Sequence, residues 1–311
     1  MRPNQGPGKG AKVYTFGPSP DPKPTMTEQK APLSLADHPR DNVGLTYVYP
    51  VVSRRAHGVS VGINLNPNNA CNWRCIYCQV PGLIRGAPPP VDLPLLEREL
   101  AAFLDEVLRG RFMAERVPAD LRRLNDVAFS GNGEPTSCRE FDRVVERVCA
   151  VMRAAGVPAA VKLLLITNGS LIRRAAVRRG LQAMNRCNGE VWFKLDGGTS
   201  ADWARINDVH MTEAQVRENL LLAASLCPTW VQTCVFRWDG REPSAEWRAA
   251  YLDFLRETLE RGAPLRGVHI YSVARPSMQP EASRLSPLGD EWGKAFADEI
   301  ARLGIASTWN P

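Results

Sequence analysis

The sequence predicts an α/β chain: a partial (β/α)6 barrel of the TIM type, with parallel strands ringed by outer helices and preceded by a flexible tail. Three observations carry this. Short apolar strands alternate with amphipathic helices from about residue 58 onward. The strands are near-continuous apolar runs such as "VKLLLI" (161–166), the pattern of strands covered on both faces in a parallel sheet. The unusual segments (three close cysteines, "GNGEPT", "TNG", "KLDGG" and "YSVARP") all fall at or just after strand C-termini. Barrels carry their chemistry on that face. An open doubly wound sheet also binds ligands at its carboxyl edge, so placement favours the barrel without excluding the open sheet.

The elements follow in order. Residues 1–43 are rich in Pro, Gly, Ser and Lys without sustained periodicity and read as a mobile tail, leaving 44–311 for the folded domain. "GVSVGINL" (58–65) is a strand. In 93–108 Leu96, Leu100, Phe103 and Val107 share one helical face. "NDVAFS" (125–130) is a strand, followed by a helix over about 138–155. "VKLLLI" leads to a helix over about 170–183, and "EVWFKLD" (190–196) to one over about 212–226, opened by "TEAQ" as a capping box. "WVQTCVF" (230–236) is a strand. The next helix stacks Trp247, Tyr251, Leu255 and Leu259 and stops at Gly262. "RGVHIYSV" (266–273) is the last strand, and the final helix covers about 289–303.

The 311 residues, 44% of them hydrophobic, suffice for one large barrel or two ordinary domains. The longest apolar runs are a strand's length, too short to span a bilayer. The opening "MRPNQGPGKGAKVY" lacks the apolar stretch of a secretory leader, so a cytoplasmic, reducing location is expected. Eight cysteines there are thiols and ligands rather than disulfides. The formal charge of +6 suits an anionic partner.

The chemistry centres on "NNACNWRCIYCQVPG" (68–82), where Cys71, Cys75 and Cys78 are spaced C-x3-C-x2-C. Three thiolates in one loop can hold three irons of a [4Fe–4S] cube and leave the fourth open. A structural zinc site wants a fourth Cys or His at short spacing, and none follows before Cys138. Three clustered core thiols are the bland alternative, but polar, glycine-flanked loops do not bury thiols as core.

This spacing, with Tyr77 just before the third cysteine, resembles the signature of radical S-adenosylmethionine (radical SAM) enzymes. The resemblance implies that Cys71, Cys75 and Cys78 hold a [4Fe–4S] cluster. It implies that S-adenosylmethionine chelates the open iron and is cleaved by one electron to methionine and a 5′-deoxyadenosyl radical. It also implies an electron donor such as flavodoxin or ferredoxin. "SGNGEPT" (130–136) resembles the family's glycine–glycine–glutamate motif: Gly131 and Gly133 bare backbone carbonyls for the co-substrate's ammonium, and Glu134 adds negative charge. The alternative is a plain turn closed by Pro135. Asn168 of "TNG" offers an amide to ribose or carboxylate, or is a turn residue. In "KLDGG", Lys194 and Asp196 end a buried strand; Asp196 suits a ribose diol or a bond near the cluster, or else a helix cap or a salt bridge to Lys194.

Five segments over roughly 47–285, ending in "KLDGGT…RIN" and "YSVARP", resemble the bacterial subgroup related to wyosine-type tRNA modification enzymes. There Arg54 and Arg55 would sit beside the barrel's mouth. The chain departs from the wyosine-forming members in having no cysteine before Cys71, and its last cysteine is Cys234, which argues against auxiliary clusters. The radical machinery is therefore carried over and the wyosine reaction is not. Cys149, Cys187, Cys227 and Cys234 default to core or incidental thiols. Cys138, near the mouth, is the one alternative fourth ligand or thiyl relay.

The substrate is open between RNA, a partner enzyme activated as a glycyl radical, and a small molecule. A non-enzymatic iron–sulfur electron-transfer protein, its cluster closed by Cys138, is the alternative from another class. One feature favours RNA. From Arg147 to Gly189 there is no acid but eight bases, with Arg173/Arg174 and Arg178/Arg179 a turn apart on the expected helix. No aromatic lies in that stretch, so Trp73 or Tyr271 would have to stack a base.

Overall fold

The computed structural model describes residues 44–53 and 58–311. The tail expected over 1–43, and Arg54 and Arg55, lie outside them. Eight strands form one sheet: β1 (Val48–Ser53), β2 (Gly58–Ile63), β3 (Leu124–Phe129), β4 (Lys162–Thr167), β5 (Gly189–Lys194), β6 (Thr229–Val235), β7 (Leu265–Ser272) and β8 (Ala306–Asn310). Eight helices accompany them: α1 (Leu93–Leu108), α2 (Phe112–Arg116), α3 (Phe141–Ala154), α4 (Ala175–Asn185), α5 (Ser200–Asn207), α6 (Glu213–Leu226), α7 (Ala245–Glu260) and α8 (Asp290–Ala301).

The strands lie in the sheet in chain order, and every neighbouring pair from β2 to β8 is parallel. A doubly wound sheet reverses its order at a switch point. This one does not. Right-handed crossovers then put all the helices on one face, and the sheet curls with its other face inward. It stops short of closure at β1 and β8, so the architecture is an α/β partial barrel. β1 departs from the expected parallel sheet: it pairs antiparallel with β2, Val48 opposite Ile63.

Alternation along each strand divides the side chains. Val191, Phe193 and Leu195 join the main core under the helices, beside Phe129, Phe141, Val231 and Phe254. Trp192 and Lys194 face the lumen, where His269 stacks on Trp230 at 4.2 Å and 8°. A second, smaller cluster of Ile76, Tyr77, Ile206, Cys234 and Phe236 lies under the cysteine loop.

The caps account for the helix starts. Asp92 accepts from Leu95 N–H (2.9 Å) at α1. The Thr212–Gln215 box expected from "TEAQ" opens α6, and Thr199 with Asp202 repeats it at α5, which periodicity alone does not reveal. α4 begins at Ala175, so Arg173 and Arg174 precede the helix instead of sharing it with Arg178 and Arg179. Among the described residues no helix is long and apolar enough to cross a membrane.

Candidate functional site

The cysteine loop follows β2 across the C-terminal end of the barrel. Asparagines fasten it down. Asn64 Oδ1 accepts from the backbone N–H of Asn66 (3.1 Å) and of Asn132 (3.0 Å). Asn66 Nδ2 donates to Ala70 O (2.8 Å), and Asn132 Nδ2 to Asn69 Oδ1 (2.6 Å). Asn72 receives Asn168 Nδ2 (2.9 Å) and donates to Ser170 Oγ (2.8 Å). The loop is thereby tied to the segments after β3 and β4. Ala70–Cys71 also pairs with Ile84–Arg85, and Cys78 N–H closes a turn on Cys75 O (2.9 Å).

On the outer side Arg74 forks onto both oxygens of Glu281 (2.9 and 3.0 Å) and reaches Asp208 (3.1 Å), which also binds Arg85. Ser277 Oγ donates to Ile76 O (2.6 Å). Arg74 holds the Glu281 carboxyl, and Arg85 with Arg74 the Asp208 carboxyl, below the usual carboxylate range.

Gly131 and Gly133 bring the segment after β3 against this loop. Gly131 has φ +126°, and a Cβ there would lie 2.6 Å from Asn64 Oδ1; one at Gly133 would lie 2.1 Å from Ala70 O. Glu134 is 3% exposed and its carboxylate is fully engaged. It accepts from Thr136 N–H (3.1 Å), Thr136 Oγ1 (2.5 Å), Thr167 Oγ1 (2.6 Å) and Asn168 N–H (2.7 Å). Burial pushes its pKa up, against the pull of these donors. Glu134 thus caps its own turn and ties β3's loop to β4's loop. Asn168 is engaged too: its Oδ1 accepts from Ser170 N–H (3.1 Å) and Ser170 Oγ (2.7 Å). Neither side chain stands free in this arrangement.

Beneath the cysteines lies a buried polar relay. Tyr77 OH donates to Asp196 Oδ2 (2.5 Å), and Lys194 Nζ donates to Tyr77 OH (3.2 Å) from over the ring, 4.9 Å from its centroid. Asp196 Oδ1 accepts from Cys234 N–H (3.0 Å), and Asn207 Nδ2 reaches both Asp196 Oδ2 (2.8 Å) and Cys75 Sγ (3.2 Å). Asp196 caps no helix: its bonds run to Tyr77, Asn207 and Cys234, beside the cysteines. Burial lowers the Lys194 ammonium's affinity for its proton, but Tyr271, Cys75, Asp196 and Cys234 outweigh it and leave its pKa raised.

The three cysteines stand together but do not converge on one point: among the described residues no three His, Cys, Asp or Glu side chains are gathered for a single ion. A cubic cluster binds each cysteine through a different iron, so convergence is not required. The donor set fits such a group. Cys71 Sγ accepts Trp73 N–H (3.5 Å), Cys75 Sγ accepts Asn207 Nδ2, and Cys78 acts electrostatically on both. Burial raises Cys71 to about 11 and Cys75 to about 12. Loading a metal group would therefore release protons.

Asn207, Cys234 and Tyr271 are the site residues whose roles local sequence does not reveal. Cys138 instead packs in the main core, its thiol raised to about 11 by burial. Cys149 on α3 and Cys187 after α4, expected as separate thiols, are brought together with Cα atoms 6.2 Å apart, because those two helices pack along one seam. Trp73 is 5% exposed, so its ring is covered in this structure. In the acid-free stretch, acids from elsewhere pair Arg147 (Glu97), Lys162 (Glu190), Arg173 (Glu218) and Arg179 (Asp142). Arg153, Arg174, Arg178 and Arg186 are exposed and have no ion-pair partner among the described residues. A groove of about 400 Å³, bounded by Lys162, Asn188, Glu190, Trp230 and Arg266, opens at the opposite, N-terminal ends of the strands.

No protein-family profile matches the chain. It is 30% identical over 162 residues to a UPF0026 protein of Methanocaldococcus jannaschii, covering 52% of this chain and 43% of that one. It is 26% identical over 159 residues to a GTPase Obg of Brachyspira hyodysenteriae, covering 50% and 21%. The chain thus spans less than half the length of either curated relative. Among solved structures, a radical SAM methyltransferase from Sphaerobacter thermophilus superposes with a TM-score of 0.52 at 13% identity, covering 85% of this chain and 68% of that one. A spore photoproduct lyase gives 0.48 at 12% identity, covering 78% and 74%. The mostly parallel sheet, its flanking helices and the first of these superpositions together make the fold a radical SAM-like partial barrel.

Proposed function

We propose that the chain is a radical SAM enzyme that reductively cleaves S-adenosylmethionine to methionine and a 5′-deoxyadenosyl radical acting on a substrate. The carrying observation is that the loop bearing Cys71, Cys75 and Cys78 is fastened to the C-terminal ends of β3, β4 and β5. When bound, a [4Fe–4S] cluster with one iron free of protein ligands supplies the electron and an open coordination position.

The chain's own residues do the rest. The cysteines hold the cluster as thiolates, two of them steadied by N–H donors. Gly131 and Gly133 carry no side chain, so the turn packs against Asn64 and Ala70 with its carbonyls available to an ammonium. Glu134 and Asn168 act one step back, as ties that fix that backbone. Lys194, held over Tyr77, presents a cation to the lumen for a carboxylate or a substrate anion. The electron comes from a donor protein such as flavodoxin or ferredoxin, in a cytoplasmic setting. Cys138, deep in the main core, gives the electron-transfer alternative no support.

Anaerobic reconstitution tests this. Four irons and four sulfides per chain are expected, an EPR signal of the reduced protein that changes when S-adenosylmethionine is added, and 5′-deoxyadenosine as product. Replacing Cys71, Cys75 or Cys78 with Ala should remove all three, and Cys138→Ala none. One zinc and no iron would sink the reading.

For the substrate, the finer reading is an anion with RNA as the first to try, supported by the four exposed, unmatched arginines. A glycyl-radical protein or a small molecule is the alternative. Binding of total tRNA should weaken steeply with salt as counterions are released, and Arg174→Gln with Arg178→Gln should flatten that slope by about two units. Binding insensitive to salt would turn the search to the alternatives.

A further inference from the structure

Asn207 ends α5 and is fully buried. Its backbone O accepts from Arg74 N–H (3.2 Å) and that of Ile206 from Ile76 N–H (2.9 Å), so one turn of helix grips the cysteine loop from below. Its side chain stands between Cys75 Sγ (3.2 Å) and Asp196 Oδ2 (2.8 Å). A ligating thiolate and the Asp196 oxygen that receives Tyr77 OH are both acceptors, so the amide nitrogen must be the atom that faces them. Oδ1 then points elsewhere, buried and without any hydrogen-bond partner. Buried amide oxygens are rarely left this way. Asn72, the other amide beside a sulfur, is turned the opposite way: its oxygen lies 4.0 Å from Cys71 Sγ and its nitrogen bonds Ser170.

We infer that Asn207 is a positioning residue with two ends, an inference that rests on the radical SAM reading. Its N–H holds the Cys75 sulfur and, by stabilising the extra negative charge of the reduced cluster, raises the cluster's reduction potential. Its free Oδ1 takes an N–H or O–H group of the bound S-adenosylmethionine. Asp196, fixed by Tyr77 and by Cys234 N–H, keeps the amide from rotating. Occupancy of the co-substrate site and the poise of the cluster then meet at one side chain.

The test uses the reconstituted full chain with Asn207→Leu, which removes both ends at similar volume, and Asn207→Asp, which keeps an oxygen and loses the amide. EPR-monitored redox titration without co-substrate should place the midpoint of both variants below wild type at unchanged iron content. Equilibrium binding of labelled S-adenosylmethionine should weaken roughly tenfold in Asn207→Leu and less in Asn207→Asp. Unchanged midpoints overturn the sulfur contact, and unchanged affinity in Asn207→Leu overturns the role of Oδ1. If neither variant loads a cluster, wild type labelled with ¹⁵N in its asparagine amides decides: hyperfine coupling of that nitrogen to the cluster supports the contact, and its absence overturns it. A wild-type chain that loads no cluster removes the radical reading itself, a result distinct from a loaded wild type with indifferent variants.

Discussion

Gly133→Ala is expected to prevent the cysteine loop from seating, so that reconstituted protein holds little iron although the barrel still folds. The added Cβ would stand 2.1 Å from Ala70 O and 2.7 Å from Asn66 Nδ2. Those two atoms are bonded to each other at 2.8 Å, so neither can withdraw without breaking the tie that places Cys71 one residue later. A backbone carbonyl cannot swing away as a flexible side chain can. Gly82→Ala is the control: φ there is +58°, but nothing lies within 4 Å, so it carries only the strain of the left-handed backbone, about 1 kcal/mol. Iron content and far-ultraviolet circular dichroism distinguish the two. Gly133→Ala loading iron like wild type would show that the contact is not a constraint.

Glu134→Ala is expected to cost stability before it costs any ligand affinity. It strands the buried N–H groups of Thr136 and Asn168 together with two hydroxyls. At about 1–3 kcal/mol for each stranded N–H, the loss is roughly 2–6 kcal/mol, measurable by denaturant unfolding of the metal-free chain. Glu134→Gln keeps the volume but turns an amide donor toward a neighbouring donor, so it should recover only part. The pH dependence has a definite sign. Burial raises the folded pKa of Glu134 above its unfolded value. Its contribution is therefore fully present below the unfolded pKa, about 4.3, and is lost as pH rises through the folded pKa. The advantage of wild type over Glu134→Gln should accordingly be larger at pH 4 than at pH 7. An advantage that grows with pH would mean the donors outweigh burial.

Much of this was legible because it is local. The span of α1 follows from the stripe of Leu96, Leu100, Phe103 and Val107, and the box at Thr212 is spelled in four residues. Direction is not local: nothing in "VYPVVS" distinguishes an antiparallel edge from a parallel strand. β8, the short polar "ASTWN", has no period to read. α5 is only eight residues long, and its signal was the "TSAD" box rather than a stripe. α4 starts late because Ile172 is buried by a turn, not by a helix. In the site, spacing groups the right loops, yet the tasks of Glu134, Asn168 and Asn207 depend on partners 34, 96 and 132 residues away.

Those separations bear on how the protein is made. Arg74 and Glu281 are 207 residues apart, and Ser277 and Ile76 are 201 apart. The loop's outer clamp is therefore incomplete until residue 281 has been made, and contacts over such spans form late. Sulfurs presented by an unclamped loop would be open to oxidation or to a stray metal before their neighbours arrive. On the radical SAM reading, iron and sulfide would accordingly suit a loop already latched by Glu281 better than one still waiting for it.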